Sequence, residues 1–299
     1  MRYIKYINLK KSYFWGKPLD IFDAFRKQFL LIASPCFNSF EGIKNKTSIY
    51  DAYICGSDQV WNPTVNAGVD PAYYLDFAPK GCKRIAYAAS FGRNDIEAEY
   101  HSEIARLLKK MDAISMREKS GVDFVSSLTG QSSVWLPDPT MLVDDYNAVT
   151  TIPKVNNYAF LYTVRELGWA QKAKNIIAHK IKLPVIDSKS TVMSPNEWVG
   201  YIKQAKFLVT NSFHGVVFGI IFQRPFVAIG FTGGRASLND RISSLLGKLG
   251  LEGRMLKEYN EDAILRLINE PIDWEKVHLR IQDWRNEAYR YLTKVLSGD

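Results

Sequence analysis

The sequence predicts an α/β protein with two doubly wound lobes that face a cleft. Short apolar runs alternate with segments whose apolar residues recur at helical spacing, which is typical of parallel sheets with crossover helices. After a polar stretch with a proline, at 144–157, the same alternation starts again. The chain is therefore predicted to form two domains, 1–150 and 151–299.

The first domain contains four predicted strands, at 50–55, 84–90, 111–116 and 133–136. A helix is predicted from "NDIEAEYHSEIARLLKKM", where one face carries Ile96, Ile104, Leu107 and Leu108. Strands separated by such helices favour a parallel sheet over a hairpin-based one.

The second domain repeats the pattern, with strands predicted at 158–164, 183–187, 207–211 and 225–230. Helices are predicted near 169–181, 195–205, 214–223 and 237–249. The tail "DWEKVHLRIQDWRNEAYRYLTKVL" predicts an amphipathic C-terminal helix. We expect this helix to pack on the protein, and its basic face leaves peripheral contact with a membrane as an alternative.

Composition narrows the class of protein. A chain of 299 residues with 46% hydrophobic residues can bury a sizeable core. No apolar run approaches the roughly 20 residues that cross a bilayer, and the first residues are too polar for a signal peptide, so a cytoplasmic protein is predicted. Cys36, Cys55 and Cys82 lack metal-ligand spacing, which predicts free thiols and no structural zinc.

The charge balance favours anionic partners. There are 39 Lys and Arg against 31 Asp and Glu, a net charge of +8. The chain has neither a dense basic block nor a zinc-finger or RNP-like signature, so nucleic acid is not predicted as a partner. Phosphorylated small molecules and an acidic membrane surface stay open, as does a basic surface without a specific partner.

Ligands of open parallel sheets bind beyond the carboxyl ends of the strands, and His214 follows such a strand. The next segment, "GVVFGIIF", reads as a buried helix whose positive N-terminal end would favour an anion. A histidine there can serve as an acid or base. We favour this interpretation over a structural hydrogen bond.

Other strand ends carry weaker signals. Arg117 could bind an anionic substrate or form a surface ion pair with Glu118. Ser57 and Asp58 are placed equally well for a turn or a helix cap. Arg235 follows two glycines, which suit either a ligand-binding loop or an ordinary one.

Several segments together resemble the polysaccharide pyruvyl transferase family. In order, they are "YDAYICGSDQVWNP", "KRIAYAASFG", "AISMREKSG", "LPDPTMLV", "SPNEWVGYIKQAKFLVTNSFHGVVFGIIF" and "RISSLLGKLGL". They span about Tyr50 to Arg254. The first and fifth are specific, and the others support them by their order.

The resemblance implies two Rossmann-like lobes of the GT-B glycosyltransferase type. It also implies transfer of a pyruvyl group from phosphoenolpyruvate to two hydroxyls of a saccharide, which gives a cyclic ketal and phosphate. Such an enzyme would act in cell-surface polysaccharide synthesis on a lipid-linked or polymer-bound acceptor, with a possible site of action at the inner face of the membrane. Phosphoenolpyruvate would be the donor substrate, and no cofactor or metal is expected.

The resemblance implies that Arg117 and the segment Ser212-Phe213-His214 hold the donor, with Arg117 on its phosphate or carboxylate. The chemistry of pyruvyl transfer makes His214 the expected catalytic acid, or the acid and base shared between the two ketal-forming steps. The remaining predicted donor-binding residues are Asn211, Ser212, Gly215, Arg235 and Arg241. The predicted acceptor-binding residues are Ser57, Asp58, Gln59, Asn62 and Ser90.

Two departures from the family pattern bear on these expectations. Ser212 stands where another branch has an arginine, so Arg235 or Arg241 would have to supply that charge. The first βα unit of the N-terminal lobe is expected to be missing, because the segment "FDAFRKQFLLIASPCF" already begins at residue 22. A nucleotide-sugar glycosyltransferase and an inert saccharide-binding or scaffolding relative are the alternative functions.

Overall fold

The computed structural model describes residues 18–30, 37, 39–46, 50–164 and 168–297. These residues form two compact units, each built from separate stretches of the chain. The first-sheet unit comprises Phe40–Asp144, Ile229–Glu258 and the chain from Pro271 onward. The second-sheet unit comprises the chain up to Ser39, then Asp145–Ala228 and Tyr259–Glu270.

Nine strands are present in the described residues. They are β1 (Ala52–Cys55), β2 (Lys83–Ala89), β3 (Ala113–Met116), β4 (Val134–Trp135), β5 (Ala159–Tyr162), β6 (Val185–Asp187), β7 (Phe207–Thr210), β8 (Phe226–Ile229) and β9 (Met255–Leu256). The eight predicted strands are confirmed. The two-residue β9 was not predicted from the sequence.

The described helices are α1 (Pro18–Phe29), α2 (Phe40–Lys46), α3 (Pro63–Asn66), α4 (His101–Leu108), α5 (Lys119–Thr129), α6 (Gly168–Lys180), α7 (Pro195–Gln204), α8 (Phe213–Ile221), α9 (Asp240–Leu249), α10 (Glu261–Asn269) and α11 (Trp274–Ser297). Ile104, Leu107 and Leu108 of α4 are fully buried, and Ile96 packs against the same core, as the spacing predicts. The mixed α/β architecture with helices between strands is confirmed.

The two sheets differ in how they are wound. In the first, β1 to β4 are parallel and lie in sequential order. Its described strands therefore contain no reversal of order, in contrast to the predicted double winding. In the second, β5 pairs with both β6 and β7, all in parallel, so the order reverses at β5. The sheet order is β6-β5-β7-β8-β9.

The C-terminal helix α11 packs in the first-sheet unit, although the sequence prediction placed the tail in the second domain. Trp284 is buried and its indole N–H donates to the carbonyl of Trp135 at 3.1 Å. The Tyr291 hydroxyl donates to the carbonyl of Ala86 at 3.1 Å. Each compact unit combines separate stretches of the chain. The predicted domain boundary between residues 150 and 151 stays a prediction.

Cys55 and Cys82 are buried free thiols, as predicted, while Cys36 lies outside the described residues. Burial raises the pKa of the Cys55 thiol to about 12, which keeps it protonated and unreactive. Within the described ranges, no helix combines the length and the apolar character needed to cross a membrane. The sequence predicts that the first βα unit of the N-terminal lobe is missing. This prediction concerns residues 1–17, which are outside the described residues, so it stays a prediction.

Candidate functional site

Polar side chains tie together the ends of β5 and β7, where the strand order reverses. The Asn211 side-chain oxygen accepts a hydrogen bond from the backbone N–H of Val164 at 2.8 Å. The backbone N–H of Ser212 donates to the Thr210 hydroxyl at 3.0 Å. Ligands of open α/β sheets bind at such reversals, so these two loops form a candidate site within the second-sheet unit.

Ser212 is the N-cap of α8. Its backbone is extended and its hydroxyl accepts from the backbone N–H of Gly215 at 3.2 Å. Burial raises the pKa of the Tyr162 hydroxyl, and the Ser212 side chain opposes that rise. This arrangement explains why a small hydroxyl residue stands at position 212, since it satisfies a helix end that lacks internal partners.

His214 lies in the first turn of α8 and is partly exposed. Most of the helix is buried, including Val216, Val217 and Ile220. The His214 ring contacts the Phe213 ring edge-to-face, with centroids 5.4 Å apart. Because the apolar body fixes the helix, the histidine is held at the positive end of a helix dipole.

Gly215 has no room for a side chain. A Cβ there would lie 2.4 Å from the Thr210 hydroxyl, which already accepts from Ser212. We expect Gly215→Ala to lower the free energy of unfolding by about 1–3 kcal/mol, because overpacking displaces Thr210. Urea unfolding measures the change.

The matched control is Gly247→Ala in α9, where the nearest atom would be 3.9 Å away. This substitution should leave stability unchanged or raise it by up to about 1 kcal/mol, since alanine has the higher helix propensity. Equal losses in both variants would contradict the packing explanation.

In the first-sheet unit, a bulge in β2 shapes the segment that leads to Ser90. The register with β3 shifts between Ala86 and Ala89, and Ala88 has φ of +47°. The Ser115 hydroxyl accepts from the Ala88 N–H at 2.9 Å and donates to the Ala86 carbonyl at 3.0 Å. The buried serine thus supports a conformation that a non-glycine residue rarely adopts, and such bulges often lie beside functional sites.

Arg117 follows β3 and is buried, with 1% of its side chain exposed. Its Nη1 donates to Asp138 Oδ2 at 2.8 Å, and its Nη2 donates to Asp58 Oδ1 at 3.2 Å. The sequence alternative of a surface ion pair with Glu118 is therefore wrong. Arg117 is instead a buried cation held between two carboxylates from other loops.

Asp138 fixes this arrangement and was not predicted from the sequence. It is 2% exposed and accepts from Arg117, from the Ser57 hydroxyl at 3.1 Å, and from the Thr140 N–H and hydroxyl at 3.0 and 2.7 Å. Its position before "PTML" in "LPDPTMLV" indicates a helix cap. Its partners Arg117 and Ser57 are distant along the chain, so no pattern in the neighbouring sequence indicates these two contacts.

Glu118 is fully buried and holds the turn after β2. Its Oε1 accepts from the backbone N–H of Phe91 at 2.9 Å and of Gly92 at 3.4 Å. Burial raises its pKa above the usual value of 4.5, against the opposing influence of the Arg117 charge. The carboxyl group therefore connects the loops after β2 and β3.

The raised pKa of Glu118 predicts a pH dependence of stability. The folded state binds this proton more tightly than the unfolded state, so the contribution of Glu118 is full below pH 4.5 and is lost as pH rises through the folded pKa. The Glu118→Gln variant lacks this pH-dependent contribution to stability, because glutamine does not titrate. Its stability relative to wild type should therefore rise with pH across that window and then level off, as measured by urea unfolding at several pH values. Glu103→Gln, at an exposed position of α4, should show no such trend.

A cleft that the sequence did not predict lies beside α9, also in the first-sheet unit. It is lined by Asn94, Phe231, Thr232, Gly233, Ala236, Asn239, Asp240, Ser243 and Lys257. The Asn239 side-chain amide accepts from the N–H of Phe231 and donates to its carbonyl, both at 2.7 Å. These bonds fix the loop between the two residues. Asp240 accepts from the Ser120 hydroxyl at 2.5 Å, and burial raises its pKa.

The family model for polysaccharide pyruvyl transferase matches residues 2–232 of this chain. The chain belongs to the polysaccharide pyruvyl transferase family. No curated protein matches it. A crystal structure described as the glycotransferase of kitacinnamycin is similar to it, with 13% identity, a TM-score of 0.42, and coverage of 83% of this chain and 74% of that one.

In this pyruvyl transferase family member, the predicted site residues fall into two groups. Asn211, Ser212, His214 and Gly215 lie together in the second-sheet unit. Arg117, Ser57 and Asp58 are brought together in the first-sheet unit, which also contains Gln59, Asn62, Ser90, Arg235 and Arg241. The roles assigned to these residues stay predictions.

Three of the predicted acceptor-binding residues of the family member are hydrogen-bonded within their own loops. The Asn62 side chain caps α3 through Thr64 N–H at 3.0 Å and donates to Gln59 Oε1 at 2.9 Å. The Ser90 hydroxyl accepts from Gly92 N–H at 2.9 Å. These bonds give each residue a local structural function, so they shape the loops around Arg117.

Proposed function

We propose that this protein transfers a pyruvyl group from phosphoenolpyruvate to a saccharide, which forms a pyruvate ketal and releases phosphate during cell-surface polysaccharide synthesis. We propose further that its two units correspond to the Rossmann-like lobes of the GT-B type. The family supports a transferase with a saccharide acceptor. The observation that carries the proposal is the position of His214 on the first turn of α8, at the reversal of strand order.

The chemistry requires an acid and a means of holding the departing phosphate. In the proposed reaction, His214 protonates C3 of the donor's enol, so the methylene becomes a methyl group and C2 becomes electrophilic. One sugar hydroxyl attacks C2 and loses its proton. Phosphate then leaves with the electrons of the C2–O bond, and a second hydroxyl attacks C2 and loses its proton to close the ketal.

The donor carries several negative charges, which the chain's cations would balance. The N-terminus of α8 and Arg117 are the proposed contacts for its phosphate and carboxylate groups. Because Ser212 serves as a helix cap, Arg235 and Arg241 are the proposed sources of the charge that an arginine supplies in the other branch. Ser57 and Asp58 are proposed to orient acceptor hydroxyls, and no cofactor other than the donor is proposed.

The first test is phosphate release from phosphoenolpyruvate by the wild-type protein, with lipid-linked, nucleotide-linked and free saccharides as acceptors. Release that requires an acceptor, with the ketal identified by mass spectrometry, supports the proposal. Vesicles of acidic phospholipid added to the same assay test whether a lipid-linked acceptor is used at a membrane surface.

Two results would contradict the proposal. Turnover of a nucleotide sugar without use of phosphoenolpyruvate would assign the chain to glycosyl transfer. Binding of phosphoenolpyruvate by calorimetry, with no release for any acceptor, would favour an inert binding or scaffolding protein.

A further inference from the structure

Arg117 has two carboxylate partners that differ sharply in their environment. Asp138 is 2% exposed, whereas the side chain of Asp58 is 62% exposed. The bond to Asp138 is also shorter, at 2.8 Å against 3.2 Å for Asp58. One partner therefore belongs to the interior, and the other lies where solvent and ligands can replace it.

The two carboxylates bonded to Arg117 differ in solvation, because the Asp58 side chain is largely exposed and that of Asp138 is buried. An exposed carboxylate is well solvated, and an ion pair with it contributes little to stability. The buried Asp138 has no comparable access to water, and hydrogen bonds from Arg117, Ser57 and Thr140 keep it in place. The outer contact is the one that can open at low cost.

The backbone of Asp58 is fixed, although its side chain is exposed. Asp58 forms a bridge to Ala89, and its carbonyl accepts from the Val60 N–H at 2.7 Å. Its φ of +81° lies in the left-handed region, which aspartate and asparagine tolerate better than most residues. A rotation about the side-chain bonds would therefore uncover Nη2 of Arg117 without moving the loop.

We propose that Asp58 is a placeholder for an anionic ligand on Arg117. In the ligand-free protein the Asp58 carboxylate accepts the hydrogen bond from Nη2 of Arg117. A phosphate or carboxylate group of the ligand displaces it. Asp138 is the permanent partner that keeps the guanidinium in orientation. The inference rests on the proposed function in one respect, namely that the displacing anion is a group of phosphoenolpyruvate.

Calorimetric titration with inorganic phosphate and with phosphoenolpyruvate tests this proposal. Asp58→Asn removes the competing charge and preserves the backbone conformation. We expect the dissociation constant of both ligands to fall by about two- to fivefold, which corresponds to the small free energy of an exposed ion pair. The unfolding midpoint should stay unchanged, because the carboxylate is exposed.

The matched control is Asp51→Asn, an exposed residue just before β1. The strand rises about 3.3 Å per residue, so Asp51 is separated from the loop after β1 by the length of that strand. It makes the same change in net charge, and we expect both dissociation constants to stay at the wild-type values. Equal tightening in both variants would show a general charge effect and overturn the placeholder.

The remaining outcomes separate this inference from the proposed reaction. Unchanged or weaker anion binding in Asp58→Asn, or no phosphate binding in either protein, overturns the placeholder. Tighter phosphate binding without any turnover of phosphoenolpyruvate supports the placeholder and contradicts the pyruvyl transfer. If Asp58 only bound the acceptor sugar, its substitution would lower turnover and leave donor affinity unchanged, which also overturns the inference.

Discussion

Replacing His214 by alanine is expected to lower the rate of pyruvyl transfer by about 10²- to 10⁴-fold, the usual contribution of a positioned acid or base. The reason is that C3 of the donor must be protonated before C2 can accept the sugar oxygen. The measurement is acceptor-dependent phosphate release under saturating donor. His214 is partly exposed, so the loss should occur without a comparable fall in the unfolding midpoint.

His179→Ala is the matched control, since His179 is an exposed histidine in the last turn of α6, within the same unit. It should retain wild-type activity and stability. His214→Gln distinguishes loss of the acid from loss of side-chain contacts. Glutamine can still form hydrogen bonds at this position, but it cannot act as a general acid. Substantial activity in both His214 variants would show that another group protonates the donor.

The largest effect on stability is expected for Asp138→Ala. This variant should lose about 3–5 kcal/mol in the free energy of unfolding, because it leaves the buried Arg117 charge without its interior carboxylate. It also removes the acceptor for Ser57 and for Thr140. Urea unfolding monitored by tryptophan fluorescence measures the change.

Two further variants test the cause of this loss. Asp123→Ala removes the carboxylate of an exposed ion pair with Lys119 and should cost no more than about 0.5 kcal/mol. The double variant Asp138→Ala with Arg117→Leu should be more stable than Asp138→Ala alone, since the uncompensated charge is gone. A double variant no more stable than Asp138→Ala alone would contradict this account.

Much of the secondary structure follows from the sequence. The eight predicted strands were readable as short apolar runs, most of them buried on nearly every residue, and the helix faces were readable from the 3.6-residue period. The apolar run after His214 indicated a buried helix, and α8 is buried along most of its length. The order of the strands was not readable, since similar apolar runs precede the sequential first sheet and the reversed second sheet.

The candidate site was less predictable than the fold. His214 stood out because it interrupts an apolar stretch, and Arg117 because it ends one. Asp138 and Glu118 gave no comparable signal, since their partners are distant along the chain or are backbone N–H groups. Gln59, Asn62 and Ser90 hydrogen-bond within their own loops, which the sequence did not indicate, and their assignment to a ligand stays a prediction.

The sequence by itself determined the α/β class, the positions of eight strands and of the helices with a clear apolar face, and the family, because these depend on local patterns and on motifs in order. Only the tertiary structure decided that Arg117 is buried between Asp138 and Asp58, that Ser212 caps α8, and that the C-terminal helix packs in the first-sheet unit. Burial and long-range pairing arise when distant segments meet. They set the charge state and the accessibility of a side chain, which residue identity alone leaves open.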